Sequence, residues 1–64
     1  MIRIAACDDN VLLRDLLKEM LEEYAGQSEN ETEIKMFSSA ESLIEDVRER
    51  GGYDIYILDI VMPA

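Results

Sequence analysis

Three acids in this 64-residue chain stand where carboxylates can do chemistry. Asp8 and Asp9 form the pair in "CDDN", directly behind the apolar run "IRIAAC", and Asp59 follows the apolar run Ile55, Tyr56, Ile57, Leu58. Ionised carboxylates brought into one crevice repel each other, and a divalent cation among them removes that conflict. The donor set is all oxygen, which favours Mg²⁺ or Mn²⁺, and Mg²⁺ keeps several waters that a phosphoryl oxygen can replace. In that setting Asp59 is a candidate carboxylate nucleophile toward phosphorus. The competing structural reading is that Asp8 and Asp9 only cap a helix and that Asp59 only forms a turn.

Other chemistries are narrowed by composition. With no His in the chain, Ser-His-Asp and Cys-His arrangements are excluded, and the three glycines form no phosphate-cradling loop. The single cysteine, Cys7, sits inside an apolar run and is expected to pack as a small hydrophobe. A formal net charge of -9, from 15 acidic and 6 basic residues, repels phosphate backbones and anionic lipid. Direct nucleic-acid binding and membrane-surface binding are therefore not expected of this segment; cations and basic protein surfaces suit it better. No apolar run approaches a membrane span, and Met1 leads directly into a strand-like segment, so the expected location is cytoplasmic.

Regular elements must position the acids. "IRIAAC" reads as a strand covered on both faces. Leu13, Leu16, Leu17, Met20, Leu21 and Tyr24 recur at three and four, predicting a helix over 11–24, with Asp9 or Asn10 as its cap and Gly26 at its end. "TEIKMF" has the alternation of a second strand. Ser38 with Glu41 makes a capping box for a second helix carrying Ala40, Leu43, Ile44 and Val47, which Gly51 and Gly52 end. "YDIYILDIVMP" is the third strand, closed by Pro63.

The order is thus βαβαβ, an α/β fold whose strands run parallel with right-handed crossovers. All three acids then lie at carboxyl ends of strands. With the first strand between the other two, winding reverses beside it and creates the switch-point crevice where open α/β sheets bind ligands. Neighbouring strands are about 4.8 Å apart, close enough for such acids to share one ion.

At these residues the chain closely resembles the receiver domain of two-component response regulators. "IRIAACDDN" and "YDIYILDIVMP", separated by two amphipathic helices, carry the resemblance over essentially all 64 positions. The two phrases look especially like receivers that accompany LytTR-type DNA-binding domains. The resemblance implies that Asp59 is the phosphoacceptor, that Asp8 and Asp9 are the acidic pair, and that the Val61 backbone carbonyl is the third protein contribution to Mg²⁺. It also implies a partner histidine kinase as phosphoryl donor, which accords with the absence of His in this chain.

Departures qualify the match. A receiver is about twice as long, with five strands in flavodoxin-like order 2-1-3-4-5. Residues 1–64 are therefore expected to be its first half, a truncated receiver domain with strands in order 2-1-3. The family's hydroxyl residue after strand four and its lysine after strand five are not in this chain, and Ala64 stands where a glycine usually follows Met-Pro. The third strand would then be an exposed apolar edge, predicting a homo-oligomer or strand-exchanged dimer. Two alternatives remain: a non-phosphorylated self-association module, and, ranked last, a phosphatase with an aspartyl nucleophile. The latter's usual Asp-x-Asp spacing is not that of "CDDN".

Overall fold

The computed structural model describes residues 1–59, with position 59 described by its backbone. Five elements follow in the order β1 (Ile2–Asp8), α1 (Val11–Gln27), β2 (Thr32–Phe37), α2 (Ala40–Arg50) and β3 (Ile55–Asp59). The strands form one parallel sheet in the order β2-β1-β3. This is the α/β arrangement expected from the alternation of short apolar runs with amphipathic segments. Parallel neighbours need a crossover between them, and each crossover here is a helix.

The central strand is the most deeply buried. Ile4, Ala5, Ala6 and Cys7 are at most 3% exposed, as an uninterrupted apolar strand requires when both faces are covered. Side chains alternate across the sheet. Ala5 and Cys7 therefore face α2 and pack with Phe37, Leu43, Tyr53 and Val47. The rings of Phe37 and Tyr53 meet edge to face at 6.3 Å, a favoured geometry for aromatic pairs. Cys7 is thus a core residue, as its sequence context indicates.

A polar network fastens this face. Asp46 of α2 takes Lys35 Nζ at 2.7 Å and the Tyr53 hydroxyl, with Arg50 Nε at 3.8 Å. Arg3 lies over the Tyr53 ring at 4.5 Å, pairs with Glu33 at 3.1 Å and donates to the Gly52 carbonyl at 2.9 Å. The backbone of Arg3 also exchanges hydrogen bonds with Asp54, whose N–H donates to the Arg3 carbonyl and whose carboxylate accepts the Arg3 N–H. These contacts set where β3 begins alongside β1.

Two boundaries differ from expectation. Helix α1 runs through Gly26 to Gln27 and is closed by Ser28, whose backbone is extended (φ -82°) and whose N–H bonds the Ala25 carbonyl at 3.3 Å. An extended cap needs no left-handed residue, so Gly26 has no terminating role. Helix α2 is capped by Ser39, whose hydroxyl accepts the Ser42 N–H at 3.2 Å; the expected Ser38–Glu41 box is displaced by one residue. Gly51 does end α2, at φ 88°, with its N–H on the Val47 carbonyl at 2.9 Å. That left-handed conformation is one glycine adopts without a Cβ clash.

Coverage of the sheet is uneven. Both helices lie over β1 and β2, so the third strand is a poorly covered edge among the described residues. Ile55, Tyr56 and Leu58 are 42%, 45% and 52% exposed. The stripe of α1 that the sequence marks as its packing face is only partly used: Leu17 and Leu21 are half-buried, while Leu13, Leu16, Met20 and Tyr24 are exposed. Among the described residues no helix is long and apolar enough to cross a membrane.

Candidate functional site

The site is built from the carboxyl end of β1 outward. Asp8 is the last residue of the strand and is 4% exposed. Its Oδ1 accepts the Asn10 N–H at 2.9 Å, closing a turn in which an acid side chain bonds the backbone two residues on. Its Oδ2 accepts no hydrogen bond from the described residues. Asp9 follows outside the strand and is exposed.

Asn10 is the helix cap. Its backbone is extended (φ -87°, ψ 119°), and its Oδ1 accepts the N–H groups of Leu12 at 3.0 Å and Leu13 at 3.2 Å. Two of the orphan donors of the first turn are satisfied in this way. Capping therefore falls to Asn10, and neither acid performs it. The structural reading survives only in part, since Asp8 orders the turn through Asn10.

Arg14 closes the circuit. Its N–H donates to the Asn10 carbonyl at 2.9 Å as the first full helical bond, and its Nη1 donates to the Asp8 carbonyl at 3.2 Å. Its positive charge is felt at Cys7. There burial pushes the thiol pKa up, the charges of Asp8 and Asp9 push it further, and Arg14 opposes them. The sequence reading does not single out Arg14. The only signal was a lone base one turn inside a helix that starts at two acids, a position that ordinarily faces solvent.

Across the sheet, Asp8 is paired in register with Asp59 on β3. Two of the acids singled out from sequence thus occupy matched positions on adjacent parallel strands, both at carboxyl ends. The side chain of Asp59 lies outside the described structure, and Val61 lies outside the described residues. Among the described residues no group of three or more His, Cys, Asp or Glu side chains converges on a metal position. The chemistry of the described donors fits a hard cation. Asp8 and Asp9 offer only carboxylate oxygens, and no described His or thiolate competes with them. Asp8 also lines an open trough, together with Leu13, Leu16, Leu17, Met20 and Ile57.

Comparison with protein-family models, with curated proteins and with solved structures finds no significant match to this chain.

Proposed function

We propose that this chain is the phosphoacceptor part of a flavodoxin-like receiver in two-component signal transduction, working in the cytoplasm with a sensor histidine kinase as phosphoryl donor. The observation that carries the reading is the register that sets Asp8 opposite Asp59 at the carboxyl ends of adjacent strands. They stand beside the strand where winding reverses in the order β2-β1-β3, the place where open α/β sheets bind ligands. In this reading Asp8, Asp9, Asp59 and the Val61 backbone carbonyl hold Mg²⁺. The bound ion would neutralise charge on the phosphoryl oxygens during transfer. An Asp59 carboxylate oxygen forms the new P–O bond as the P–N bond to the kinase imidazole breaks, and the electron pair of that bond stays on the ring nitrogen. Asp8, held by Asn10, keeps its Oδ2 for the cation.

The test is intact-mass analysis of the full-length protein incubated with acetyl phosphate and Mg²⁺. One added phosphoryl mass is expected, lost on chelation and lost in Asp59→Asn. No addition, or an addition that persists in Asp59→Asn, overturns the assignment.

A second reading is favoured by a different observation, the exposed apolar side chains of β3. An edge strand of this kind pairs readily with another chain, so the segment would act as a non-phosphorylated self-association module. Association indifferent to Mg²⁺ and to Asp59→Asn distinguishes this reading from the first.

A further inference from the structure

We infer that Asp54 is a positioning residue for Asp59, locking the register of β3 against β1 from the far end of the sheet, an inference that rests on the phosphoacceptor role proposed for Asp59. The connection does not set this register. Hairpin strands take theirs from a tight turn, whereas β3 returns to β1 after a whole helix. The ladder does not choose it either, since main-chain groups pair equally well after a slip. Burial discriminates weakly, because Ile55, Tyr56 and Leu58 are all more than 40% exposed.

A slip of one residue exchanges the two faces of β3, but a slip of two keeps both the faces and their chemistry. Ile55 then replaces Ile57 opposite Ala6, Tyr56 replaces Leu58 opposite Cys7, and Ile57 replaces Asp59 opposite Asp8. Asp59 is carried about 7 Å past the end of β1. The reverse slip brings Asp59 opposite Ala6, which is 0% exposed, and the cost of burying a charge opposes it.

Asp54 opposes the first slip. Its N–H donates to the Arg3 carbonyl at 2.8 Å, and its Oδ2 accepts the Arg3 N–H at 2.8 Å. Both main-chain groups of Arg3 thus engage one residue, in the same alignment that runs from Ile4 opposite Ile55 to Asp8 opposite Asp59. Arg3 reinforces the clasp through Nη1, which donates to the Gly52 carbonyl at 2.9 Å. Tyr53 is seated next door, but by its ring and hydroxyl, the far end of a long side chain. Asp54 ties strand to strand at the main chain of β1. The clasp stands about 17 Å from Asp59 along the strand, so it touches neither phosphoryl group nor ion.

Register is read in the isotopically labelled full-length protein from nuclear Overhauser contacts between β1 and β3. The rate of Asp59 phosphorylation by acetyl phosphate and Mg²⁺ and the thermal midpoint are followed in parallel. Asp54→Ala removes the acceptor. It is expected to weaken the Asp8–Asp59 contacts, to introduce Asp8–Ile57 contacts, and to slow phosphorylation by up to about 100-fold, the cost of misplacing a reacting group. Asp54→Asn keeps an acceptor of the same reach and is expected to restore both contacts and rate. A lowered midpoint with parental contacts would show a purely structural role and overturn the inference; a slowed reaction with parental contacts overturns it equally. Asp54→Asn behaving like Asp54→Ala overturns the hydrogen-bonded clasp. If Asp54→Ala does not fold, Asp54→Val, which suits a strand, takes its place with the same expectation. An unaltered protein that takes no phosphoryl group refutes the phosphoacceptor reading, and the contacts then decide the register role by themselves.

Discussion

Asn10 serves two partners in opposite directions. Its backbone N–H holds the Asp8 carboxylate, and its side chain closes the first turn of α1. Replacement by alanine keeps the former and removes the latter. Asn10→Ala is expected to cost about 1 kcal/mol, the usual worth of a polar cap, read as a lower urea midpoint. The same variant keeps the N–H that holds Asp8, so Mn²⁺ affinity of the folded protein is expected to stay close to that of the parent. The positions of the acids at the strand end are legible from residue pattern alone, because an apolar run that meets two acids has one plausible end. The choice between Asp9 and Asn10 is not legible, since both side chains cap equally well. The Asp8–Asn10 contact makes the choice by drawing the chain into the turn one residue later. Ser38 and Ser39 show the same ambiguity at α2, where the cap is the second of two serines.

At the level of elements, α2 is fastened to the sheet through Asp46. Hydrogen bonds from Lys35 and then Tyr53 hold its carboxyl below the usual aspartate range, helped by the charges of Lys35 and Arg50 against the cost of burial. Because the folded pKa is depressed, the folded state binds this proton less readily than the unfolded chain. The contribution is present above the unfolded value of about 3.9 and is lost as pH falls through the folded one. Acid unfolding is therefore expected to steepen below about pH 4, and Asp46→Asn to flatten that limb in circular dichroism. For Tyr53, burial and then the Asp46 hydrogen bond raise the phenol pKa. Its contribution is present below about pH 10 and is lost as pH rises through the raised value. Tyr53→Phe removes the hydroxyl that bonds Asp46 and is expected to cost about 1.5 kcal/mol, seen as a lower midpoint at neutral pH and a weaker alkaline decline. Strand and helix existence could be read from periodicity. This network could not, because its members come from β2, α2 and the approach to β3, and nothing local marks them as neighbours.

On the scale of the whole molecule, apolar surface is distributed unequally. The α2 side of the sheet is closed over Ala5, Cys7, Phe37, Leu43 and Tyr53, whereas Tyr56 and Leu58 on β3 and Leu16 and Met20 on α1 stay exposed. A parallel edge left unpaired among the described residues, with such side chains, invites pairing by another strand. The 64-residue chain is expected to show concentration-dependent association in sedimentation equilibrium, and Leu58→Lys to shift it toward monomer, since a lysine on an edge strand opposes pairing. A monomer at all concentrations would remove the case for assembly through this edge.

Residue pattern by itself determined the α/β class, the number and order of the elements, and the placement of Asp8 at a strand end, because side-chain periodicity and the need for crossovers are local properties of the chain. The strand order β2-β1-β3 agrees with the expected 2-1-3; tertiary structure alone decided that Asp8 and Asp59 share a register, that Arg14 turns back to the Asp8 carbonyl, and that α1 leaves four of the six side chains of its apolar stripe exposed. Each of these depends on which surfaces meet across long stretches of sequence. Such meetings are selected by the joint burial of several elements at once, and no single segment carries that information.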